Sequence, residues 1–184
     1  MANETAPTEL LLQLTHDLSQ GGSRSTQALL IVFGNLPAIR AARRYLHNDL
    51  NRLSGGRHLA VTRGMSRGGL FALEQAVQAF YRAADAAGPV NRSHLDMHTA
   101  IRGSLYRQFA LLPAHAGDFS PGLTSCCRPA GWMPSCGIPK RAAPSPISPA
   151  KVRRAKRHPE LGKVMPFGAN DLSLFAATDA AIRA

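Results

Sequence analysis

The chain has 184 residues, a formal charge of +11 and 45% hydrophobic residues, enough apolar material for a core and too much for disorder throughout. No apolar run approaches the roughly 20 residues of a membrane-crossing helix, and Glu4 and Glu9 stand where a secretory leader carries Lys or Arg. These features predict a cytoplasmic protein with no membrane span, and the odd set Cys126, Cys127 and Cys136 excludes a closed disulfide framework.

Leu11, Leu12, Leu14 and Leu18, following a capping Thr8, predict a short helix over 8–18 that ends at Gly21 and Gly22. Residues 27–33 are a compact apolar run stopped by Gly34 and Asn35, the pattern of a strand buried on both faces. Pro37 suits the first turn of a helix reaching Leu53, with Ile39, Ala42, Tyr45, Leu46, Leu50 and Leu53 on one face. Leu59 and Val61 alternate with polar neighbours and predict a second strand over 57–62. Leu70, Leu73, Val77, Phe80 and Tyr81 then repeat at helical spacing until Gly88 and Pro89. Ser93 and Asp96 read as a capping box opening another helix, lined by Met97, Ile101, Leu105, Phe109 and Leu112 and closed by Pro113.

This order predicts an α/β fold, a small helix-rich unit with a short two-strand parallel core, with an all-α bundle as the alternative. Composition changes near residue 118, with a net charge of +4 before it (twelve Arg, eight acids) and +7 after it (six Arg, four Lys, three acids). Between Phe119 and Pro159 there are eight basic residues, eight prolines and no acid, a poor basis for regular structure. The expected organisation is an ordered domain over 1–113, a Pro-rich basic low-order extension over 114–170 and a short C-terminal helix within 171–184.

Four constellations invite a chemical reading. Gly64, Gly68 and Gly69, with Arg63 and Arg67, lie between a predicted strand and a predicted helix, where glycine lets backbone amides approach a phosphate. This stretch resembles the glycine-rich loops of Rossmann-like nucleotide-binding proteins, which implies a nucleotide site, although it matches neither the Walker pattern nor the dinucleotide fingerprint and also reads as a simple turn. Arg40, Arg43 and Arg44 form a basic row on the predicted 37–53 helix, able to contact phosphates or to serve as a solvated face. Lys151, Arg153, Arg154, Lys156 and Arg157, followed by His158, form an electrostatic arm or an inert solubilising tail. His94 and His98, placed four apart on a predicted helix, share a face with Asp96 nearby, but the set is short of the three or four ligands zinc requires and reads as surface histidines.

No Gly-x-Ser-x-Gly elbow, His-Glu-x-x-His motif or paired carboxylates appear, so no catalytic residue, metal or cofactor is expected. The sequence therefore predicts a nonenzymatic, nucleic-acid-associated accessory protein that binds DNA or RNA phosphates independently of sequence and in a salt-dependent way. The alternatives are a Rossmann-like nucleotide-binding or nucleotide-processing protein using the 64–69 loop, and an interaction module whose basic tail meets an acidic protein partner.

Overall fold

The computed structural model describes residues 2–22, 27–47, 49, 65–88, 93–113, 127–138 and 156–183. They belong to two compact units that interleave along the chain: Met1–Asn3, Leu30–His94 and Lys140–Lys156 form one, and Glu4–Leu29, Leu95–Pro139 and Arg157–Ala184 the other.

In the first unit, α2 (Leu36–Arg40) opens with Asn35, whose side chain accepts from the Ala38 amide at 3.2 Å. The helix stops far short of Leu53 because the chain turns left-handed at Ala42 (φ 50), while the Arg43 amide donates back to the Ala38 carbonyl at 3.0 Å. Residues 50–53 and the predicted strand at 57–62 lie outside the described residues. The apolar run over 27–33 joins neither helix nor sheet, and its Leu29 and Leu30 are exposed. The long helix α3 (Met65–Ala86) packs Val77 and Tyr81 with Val32 and Phe80, matching the predicted spacing.

In the second unit, α1 (Thr5–Ser19) buries Ala6, Leu10 and Leu14. Short strands follow: β1 (His94–Leu95), β2 (His98–Ala100), β3 (Gln108–Pro113), β4 (Met133–Ile138) and β5 (Lys156–Lys163). They form a mixed sheet of order β1-β5-β3-β4, in which β2 also pairs with β5. β2 runs parallel to β5 and β4 parallel to β3, whereas β3 and β5 are antiparallel. A 3-10 turn (Leu172–Phe175) leads into α4 (Ala176–Arg183), close to the helix predicted at the C-terminus.

The mixed α/β class agrees with the sequence, but the two-strand parallel core does not describe this sheet. The helix predicted from Ser93 to Leu112 is instead β1, β2 and β3. Its apolar stripe would have needed burial, yet Ile101 is 54% and Leu105 90% exposed. Tertiary hydrogen bonds take the backbone: the Thr99 amide donates to the Glu4 carboxylate, and the Ala100 carbonyl accepts from Val164. Two further strands, β4 and β5, fall within the stretch expected to have low order.

Alternation along β5 separates core from chemistry. Pro159 and Leu161 are fully buried, and Leu161 packs with Ala6, Leu10 and Phe175. His158 and Glu160 occupy the intervening positions and so point to the other face, where His98 of β2 lies in register with Glu160. A second cluster, Ala110, Cys127, Ala130 and Trp132, is tied to α4 by the Trp132 indole, which donates to the fully buried Thr178 hydroxyl at 2.9 Å.

Candidate metal centre

Glu4 immediately precedes α1, Asp96 lies between β1 and β2, His98 opens β2, and His158 and Glu160 sit on β5. The second unit brings all five together around the His98 ring. On one side, His98 Nδ1 lies 2.8 Å from Glu4 Oε2. On the other, His98 Nε2 lies 3.2 Å from Asp96 Oδ1, and the second Asp96 oxygen is 3.3 Å from His158 Nδ1. The two imidazoles stack, with ring centroids 6.0 Å apart and planes inclined by 21°. Side-chain exposure is only 13% for His98, 12% for His158 and 24% for Asp96, so these charges interact with limited screening by water.

Burial alone works against a charged His98, but hydrogen bonds to Asp96 and Glu4 outweigh it and raise its pKa to about 9. Burial also acts to raise the Glu4 pKa, yet the hydrogen bond from His98 prevails and the carboxyl lies below its ordinary value. Glu160 moves the other way. Its burial raises the pKa despite the favourable field of His98, and Glu4 adds repulsion. Its Oε2 is buried and has no hydrogen-bond partner among the described residues.

Donor atoms of Asp96, His98 and His158 lie within 4.8 Å of one another. Imidazole nitrogens and carboxylate oxygens are the donor types zinc accepts, and a zinc-bound histidine ordinarily gives its second nitrogen to a carboxylate. His98 meets that requirement in both directions, since a carboxylate faces each of its nitrogens. With the orphaned Glu160 oxygen beside them, these residues fit a zinc ion.

The predicted sites fare differently. Arg40 and Arg43 are exposed, and Arg44 pairs with Asp49 at 3.3 Å, so the basic row sits on a five-residue helix and the turns after it. Arg67, Gly68 and Gly69 lie in the first turns of α3, which makes that stretch helix rather than loop; Arg63 and Gly64 are outside the described residues. Lys151, Arg153 and Arg154 are also outside them, while Lys156 and Arg157 begin β5. His98, read from the sequence as a surface histidine, and Asp96, read as part of a helix capping box, are at the centre of the cluster. The available signal was period two: Asp96 and His98, and again His158 and Glu160, stand two apart, which places each pair on one face of an extended chain.

This fold and cluster are those of a catalytic domain, not of a nucleic-acid accessory protein. Residues 2–184 match the Succinylglutamate desuccinylase/Aspartoacylase catalytic domain, and the chain belongs to that family. It is 44% identical over 190 residues to the succinylglutamate desuccinylase of Burkholderia thailandensis, covering 98% of this chain and 52% of the relative. It is 41% identical over 180 residues to that of Photorhabdus laumondii, covering 94% of this chain and 54% of the relative. The crystal structure of the Chromobacterium violaceum succinylglutamate desuccinylase superposes with a TM-score of 0.84 at 30% identity, covering 99% of this chain and 56% of that one. The chain thus spans about half the length of the relatives it matches. Family membership overturns the expectations of a nonenzymatic role and of DNA, RNA or an acidic protein as the partner. Among the described residues no helix is long and apolar enough to cross a membrane.

Proposed function

We propose that the chain carries the catalytic machinery of a zinc-dependent hydrolase that removes the succinyl group from succinylglutamate, as the names of its relatives describe. The observation that carries this reading is the convergence of Asp96, His98 and His158 beside a buried Glu160 carboxylate with one unpartnered oxygen.

Asp96, His98 and His158 would hold the metal on the Nε2 side of His98. When bound, zinc supplies Lewis acidity toward the scissile carbonyl and a lowered pKa for water. Glu4, on the Nδ1 side, fixes the orientation of the His98 ring. Glu160 is suited to accept the proton of the attacking water at Oε2 and to return it to the departing amine nitrogen, because its raised pKa brings it toward the operating pH of a general base. The packed Pro159 and Leu161 on the reverse face of β5 hold Glu160 at its register opposite His98.

The test is succinate release from succinylglutamate by the full chain, before chelation, after it, and after zinc is restored. The expected outcome is activity lost on chelation and recovered with zinc. Zinc-loaded protein that releases no succinate above the uncatalysed rate would contradict the reading.

A further inference from the structure

All three elements that bear the cluster meet at one segment, residues 164–170. It continues directly from β5, which carries His158 and Glu160. The Val164 amide donates to the Ala100 carbonyl at 3.1 Å, which ties the segment to the end of β2 beyond His98. The Met165 carbonyl accepts from the Thr5 hydroxyl at 2.6 Å, and Thr5 is the residue next to Glu4. Asn170 closes the arrangement. Its amide nitrogen donates to Thr5 Oγ1 at 2.7 Å and to Glu9 Oε1 at 2.7 Å, and the same Glu9 oxygen accepts from the Gly168 amide at 2.8 Å.

The bonds to Thr5 and Glu9 join positions 159 to 165 residues apart and have no counterpart in helix or sheet pairing. Glu4 itself is 3% exposed, and its carboxylate faces His98 Nδ1 and the Thr99 amide. Thr5, one residue on, is docked on the 164–170 segment and so restrains the backbone that carries Glu4. An unrestrained helix start would let the carboxylate drift by the ångström or so that separates a productive site from a loose one.

We propose that Asn170 and Glu9 are positioning residues for the candidate metal centre, clamping the start of α1 to the 164–170 segment so that Glu4 is held against His98 in the same frame as His158 and Glu160. This inference rests on the zinc reading above. One Glu9 oxygen accepts both hydrogen bonds from amide groups, so an amide oxygen in the same place would keep both contacts.

The experiment measures zinc affinity of the full chain by competition with a chelator, alongside Tm without metal. Asn170→Ala, which removes both donors, and Thr5→Val, which keeps shape but removes the hydroxyl, are each expected to weaken zinc binding on the order of tenfold, the lower end of the usual cost of losing an outer-sphere partner. Glu9→Ala should do the same, and Glu9→Gln, which retains the accepting oxygen, should restore near wild-type affinity. Trp132→Phe, which loses the distant bond to Thr178, should lower Tm and leave zinc affinity unchanged. Wild-type affinity in both Asn170→Ala and Thr5→Val would overturn the positioning role, as would an equal loss in Trp132→Phe. Failure of the wild-type chain to take up zinc would instead overturn the metal reading itself.

Discussion

His98 is the residue on which the site turns, since it is the one donor in contact with both halves of the cluster. His98→Ala should abolish zinc binding, Asp96→Asn should weaken it through loss of a ligand, and Glu4→Gln should weaken it by roughly 10–100-fold, the range expected when a partner of a ligating imidazole is lost. A chelator titration checks all three, and retention of wild-type affinity by His98→Ala would contradict the assignment. The pH dependence follows from the same ring. Without metal, His98 titrates near 9, above its ordinary 6.5, so its protonated form stabilises the fold fully below about 6.5 and that contribution is lost as pH rises through 9. The Tm difference between metal-free wild type and His98→Gln should therefore narrow between pH 6.5 and 9. None of this was legible in the residues taken singly. Glu4 looked like part of an acidic N-terminus, and Glu160 was one acid in a basic tail, because convergence of side chains from distant positions leaves no local mark.

The helices were the more legible elements, because their signal is local. Val77 and Tyr81 on α3 bury one face at the spacing a helix dictates, whereas on α1 the helix is present but its buried leucines are Leu10 and Leu14, and Leu12 of the expected face is 52% exposed. The strands were read poorly for opposite reasons at two places. From Met97 to Phe109 an accidental four-residue apolar spacing mimicked a helix, while the hydrogen bonds that make β2 and β3 come from Glu4, β4 and β5, far away in sequence. At β5 the prolines and positive charges suggested a disordered arm, yet Pro159 is accommodated and fully buried between His158 and Glu160. Pro lacks an N–H, which usually excludes it from the middle of a sheet, so composition pointed away from the strand that carries the chemistry. Packing behind β5 should be felt in stability: Leu10→Ala, which opens a cavity against Leu161 and Phe175, should cost roughly 2–5 kcal/mol by denaturant unfolding. A cost near zero would contradict the packing described.

For the molecule as a whole, the charge of +11 was the most conspicuous property and the least informative about chemistry. Net charge governs solubility and nonspecific association, whereas activity resides in a site, here one built from histidines and carboxylates that contribute little to that total. The mixed α/β class agrees with the sequence reading, but the described strands are not the runs that suggested it, since 27–33 joins no sheet and 57–62 lies outside the described residues. The sheet order, with β5 from the end of the chain inserted between β1 and β3, depends on long-range pairing that composition does not encode. Metal binding should stabilise this assembly, because ligands contributed by the β1–β2 region and β5 are brought together only in the folded chain; at zinc a hundredfold above its Kd the expected gain is about 2.7 kcal/mol. A Tm unaffected by saturating zinc would contradict a site shared among those elements.

On the proposed reading Glu160 moves the proton at a site organised by His98. The deciding measurement is the turnover of zinc-loaded Glu160→Gln with succinylglutamate, with zinc content measured in the same sample. Unchanged zinc content and a kcat lower by roughly 10²–10⁴-fold are expected, the usual contribution of a positioned general base. Wild-type kcat in the fully loaded variant would contradict it.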